Sequence, residues 1–109
     1  MRALLALLMT IGLALPAQAQ VASADECYLF MDMALVARAL AKSAVKEPVA
    51  RNIVADVYNL SDERVKGLAD AVLKAAYASK QTPQDFAVAF GTHCTQNAGK
   101  MEKFFGVGI

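Results

Sequence analysis

Two cysteines, Cys27 and Cys94, stand near the two ends of the part of this chain that should fold, and they are its only cysteines. A redox-active pair is usually spaced C-x-x-C at a helix start, where one thiol is acidified, and that context is missing here. The pair therefore reads as a structural disulfide, which outside the cytosol is the default fate of two lone thiols. Closing a loop of about 68 residues contributes roughly 4 kcal/mol in the chain-entropy model.

The compartment follows from the first residues. Met1-Arg2 and the apolar run Ala3 to Leu15 have the form of a secretory signal peptide. About 13 apolar residues are too few to span a bilayer, which takes about 20 in a helix. Pro16 breaks the run, and Ala17-Gln18-Ala19 supplies the small-x-small pattern of a cleavage site. Residues 1–19 are read as the leader, with Ala22-Ser23-Ala24 as a second cleavage candidate. Ala24-Asp25-Glu26 before Cys27 lacks the small, apolar approach used for lipidation. A soluble product in the periplasm or outside the cell is expected, with no integral membrane segment after cleavage.

Removing the leader takes Arg2 away and leaves ten basic against ten acidic residues. A neutral domain without a basic cluster has no electrostatic footprint for nucleic acid or for anionic lipid surfaces. The remaining 20–109 form one domain of about 90 residues, small enough to be marginal without a staple.

Four helices are predicted, and no segment alternates with the period of a strand. The first opens on Ser23-x-x-Glu26, a capping box, and runs to about Ala44, with one apolar stripe through Leu29, Met33, Val36 and Leu40 and another through Cys27, Met31, Ala34 and Ala41. Lys46-Glu47-Pro48 starts a short second helix on Val49, Ile53, Val57 and Leu60. Ser61 is read as the cap of a third, over 62–79, whose Asp62, Lys66, Asp70 and Lys74 form a ladder of alternating charge. Thr82-Pro83-Gln84-Asp85 starts the fourth, with Phe86, Phe90, His93 and Cys94 on one side, and Gly99 stops it. The predicted fold is all-α, a compact four-helix antiparallel bundle clamped by one disulfide.

Candidate sites are few. Cys27, Met31, His93 and Cys94 could offer soft sulfur and imidazole to Cu(I), although methionine is also a common core filler and adjacent His93 and Cys94 diverge on a helix. His93 is the sole histidine, no G-x-S-x-G turn or glycine-rich phosphate loop is present, and neither enzymatic activity nor a cofactor is expected. Arg38, eleven positions after Cys27, returns to nearly the same side of the first helix and needs an acid, a carbonyl or a ligand as partner. The apolar tail with Phe104, Phe105 and Ile109 either packs on the bundle or docks a partner.

Cys27, Met33-Ala34, Arg38, the turn from Val72 to Tyr77, Thr82-Pro83 and Cys94 together resemble a widespread kind of small exported helical protein of proteobacteria, mostly uncharacterised. That resemblance implies a disulfide-clamped bundle and no particular activity. The architecture, without a shared motif, is also similar to the periplasmic acid-stress chaperones. The function expected is a non-enzymatic periplasmic binding or envelope-structural module for an unknown protein or small-molecule partner. Alternatives are an acid- or stress-responsive holdase and a Cu(I)-binding protein.

Overall fold

The computed structural model describes residues 22–105; the expected leader and the tail residues Val107 and Ile109 lie outside them. Four helices form the body: α1 (Ala24–Lys42), α2 (Glu47–Val57), α3 (Glu63–Ala78) and α4 (Pro83–Gln96), followed by a single turn, α5 (Glu102–Phe105).

Local chemistry sets each start. The Ser23 hydroxyl accepts from the Glu26 amide while the Glu26 carboxylate accepts from the Ser23 amide, so one reciprocal pair satisfies two otherwise free donors. Thr82 caps α4 through the Asp85 amide, with Pro83 in the first turn. For α3 the cap is Asp62, which accepts from Arg64 and Val65, and not the expected Ser61. A carboxylate satisfies the same amides as a hydroxyl would and also complements the positive helix end.

The helices alternate in direction. Cys27 meets Cys94, Met31 lies against Gly91, and Arg38 reaches Gln81, so α1 and α4 run antiparallel along their whole length. At one end Glu26 meets Arg64 and at the other Tyr77 meets Val45, which places α3 beside α1 in the same direction. The short α2 packs on both α1 and α3, making α1 the central helix.

The core phase differs from the sequence reading. On α1 the buried residues are Cys27, Phe30, Met33, Ala34 and Ala37, whereas Leu29 is 40% exposed. On α2 they are Ala50 and Val54, with Val49 and Val57 facing outward. Alanine wins these places because helices that touch on two or three sides approach closely, and small side chains permit it. Phe30 and Phe90 are fully buried and anchor the core; truncating either to alanine costs about 3–5 kcal/mol.

Two glycines make the close approaches. A Cβ at Gly91 would intrude on the Met31 thioether, so the Met31 side chain of α1 lies directly on the bare backbone of α4 there. Gly99 has φ +82° and would drive a Cβ into the Ala22 backbone; its carbonyl accepts from the Ala22 amide at 3.0 Å. The Gly99 amide in turn donates to the Cys94 carbonyl at 2.8 Å and closes α4.

Candidate functional site

The disulfide joins the first turns of α1 to the last turn of α4, with Cα atoms 5.7 Å apart and both cysteines buried. It commits both thiols, so Cu(I) could use them only in reduced protein. Met31 lies over Gly91, and the His93 ring stands 5.7 Å from that of Phe104. Among the described residues no three His, Cys, Asp or Glu side chains form a group able to hold a metal ion.

Arg38 is half-buried, and its Nε donates to the Gln81 carbonyl at 2.7 Å, so its partner is a backbone oxygen of the α3–α4 turn. Tyr77 of α3 does the reciprocal service, donating to the Val45 carbonyl in the α1–α2 turn. Burial first, and the nearby Glu47 second, push the Tyr77 phenol above the ordinary tyrosine range. Phe105 is buried and Phe104 half-buried; their rings pack on Phe90, and Phe104 also on Phe86.

The opening that sequence reasoning did not find lies between α2 and α3. It is a cleft of about 240 Å³ whose floor is Val54, Leu60, Ala69 and Leu73. Arg51, Asn52, Lys66 and Asp70 form its rim. Arg51 Nε donates to Asp70 Oδ1 at 3.1 Å, bridging the two walls, and Arg51 Nη2 donates to Glu47 at 3.3 Å. Lys66 makes a long contact, 3.3 Å, to Glu63, whose side chain is 90% exposed. Such pairs contribute little to stability and leave their charges accessible. A second groove, between α1 and α4, is flanked by the exposed Tyr28 and Val88.

Further polar links tie α1 to its neighbours on the same side. Glu26 pairs with Arg64 through both carboxylate oxygens. The Arg64 guanidinium, more than burial or the Ser23 amide, sets the Glu26 carboxyl, which is held below the ordinary glutamate range. Asp32 accepts from the Tyr58 hydroxyl, and burial together with that hydrogen bond raises the Tyr58 phenol far above its usual value. Every one of these inter-helix links ends on a carboxylate, whereas α4 is held on α1 by a disulfide, a glycine contact and a carbonyl.

Arg51 does not stand out in the sequence and Asp70 does so only as a rung of the charge ladder, because their meeting depends on how α2 folds back on α3. The charge ladder was the nearest signal: two of its members, Lys66 and Asp70, line the cleft. Comparison with family models, with curated proteins and with solved structures finds no match to this chain.

Proposed function

We propose that this protein is an exported, non-enzymatic helical binding module whose ligand site is the α2–α3 cleft. The observation that carries the reading is an apolar floor opening to solvent beneath a rim of charged and amide side chains, the usual composition of a small-molecule site. Support for export comes from the leader pattern of residues 1–19 and from the closed disulfide, which suits an oxidising compartment. Among the described residues no helix is long and apolar enough to cross a membrane.

The test is expression of the full chain in a Gram-negative host, followed by fractionation, intact mass and a thermal-shift screen of small ligands. A shortened, oxidised chain in the periplasmic or extracellular fraction, stabilised by at least one ligand, is the expected result. Full-length reduced chain retained in the cytoplasm would contradict export, and a screen without any stabilising ligand would contradict the binding role.

A second reading, an acid-responsive chaperone, draws on the Glu26–Arg64 link between α1 and α3. Protonation of Glu26, whose carboxyl Arg64 holds low, releases the clamp between α1 and α3 while the disulfide keeps α4 on α1. Suppression of client aggregation at pH 2–3 but not at neutral pH would favour this reading; no suppression at either pH would remove it.

A further inference from the structure

Resting on the α2–α3 cleft as the binding site, we propose that its ligand is a small amphiphile carrying one carboxylate on an apolar body. The cavity, about 240 Å³, is smaller than the roughly 300–1,000 Å³ of drug-sized sites and suits about ten non-hydrogen atoms. Its floor is dry chemistry: Val54, Ala69 and Leu73 are each no more than 2% exposed and offer no polar side-chain atom. An apolar chain laid there leaves water itself and covers what remains exposed of the half-buried Ala55 and Leu60.

The rim selects the headgroup. The rim itself holds two cations, Arg51 and Lys66, and one carboxylate, Asp70, while Glu47 and Glu63 pair with the two cations from outside the lining. Arg51 uses Nε on Asp70 and Nη2 on Glu47, and its Nη1 makes no hydrogen bond to a described residue. Lys66 spends one long contact on an exposed glutamate and keeps two further protons. The Asn52 side chain is exposed and brings an amide donor. These donors suit one carboxylate, and the attraction of Arg51 and Lys66 is strongest for an anion. A dianion meets Asp70 and Glu47 as like charges, and a cationic head offers no acceptor to the remaining protons of Arg51 and Lys66, so both are disfavoured.

The experiment is an amide NMR titration of the oxidised protein with octanoate, octan-1-ol, octylammonium and acetate. Octanoate should shift the signals of Val54, Ala69 and Leu73 saturably, with octan-1-ol and octylammonium at least about tenfold weaker and acetate leaving the floor unmoved. Lys66→Gln, at the rim, should weaken octanoate at least about fivefold without changing the circular dichroism spectrum. Ala69→Phe should fill the floor and abolish binding; should it fail to fold, Lys66→Gln and the headgroup series still decide. Equal binding of the alcohol, no effect of Lys66→Gln, or shifts centred on Tyr28 and Val88 would overturn the proposal. Saturation of the same floor signals by octylammonium alone would refute the carboxylate and leave the cleft as a binding site. Silence of the floor towards all four probes would count against both.

Discussion

Glu26 joins the N-terminal turns of α1 and α3: it closes the capping box with Ser23 and at the same time clamps Arg64. Arg64 sits in the first turn of α3, where a cation opposes the helix dipole, and Glu26 compensates it. One carboxylate thus serves two helix starts. Because its folded pKa is lowered, its contribution is present above the unfolded value, about 4.3, and is lost as pH falls through the folded value. Glu26→Gln should cost about 1 kcal/mol at pH 7, after allowing for the partial exposure of both partners. In urea titrations across pH 2–7, the gap between the variant and the natural protein should close in acid. A gap that is constant with pH would refute the assignment.

Gly99 and Gly91 should respond unequally to alanine. At Gly99 the new Cβ meets fixed backbone of Ala22 and the φ is positive, so Gly99→Ala should cost about 1–3 kcal/mol. At Gly91 the obstacle is the far end of the Met31 side chain, which can swing away, and the loss should be smaller. Thermal melts of the two variants compare them directly, and an equal loss would show that Ala22 is not seated as described.

Arg38 and Tyr77 grip opposite turns at one end of the bundle, and each hydrogen bond should contribute about 1 kcal/mol. Hydrogen exchange separates them. Arg38→Met should speed exchange around Gln81, and Tyr77→Phe around Val45, with little crossover. If Arg38→Met left exchange and stability unchanged, its bond to Gln81 would have no structural weight.

The second cleavage candidate, after Ala24, would remove the Ala22–Gly99 backbone bond and the Ser23 cap together. A chain beginning at Asp25 should be less stable than one beginning at Gln20 by about 2 kcal/mol, the cap alone supplying about 1. Denaturant unfolding of the two purified forms measures this, and equal midpoints would contradict it.

The parts legible in the sequence were those decided within one turn of chain: Ser23 with Glu26, Thr82 with Pro83 and Asp85, and the helix breaks at Pro48 and Pro83. Leu29 and Phe30 show where legibility ends. Both are large and apolar, and only the approach of α3 and α4 decides which is buried. The same holds on α2, where Ala50 outranks Val49 because the interface is tight. The position of Arg38 on the first helix shows that it needs a partner, but a backbone carbonyl carries no sequence signature. The cleft was invisible for the same reason, since Arg51 and Asp70 acquire meaning only when α2 folds back on α3.

The clamp itself is tested most directly by denaturant unfolding of the oxidised protein against the Cys27→Ala/Cys94→Ala double variant at neutral pH. Loss of about 4 kcal/mol, with α4 losing its exchange protection first, is the expected result. Equal stability of the two proteins would contradict a bundle held together by the Cys27–Cys94 disulfide.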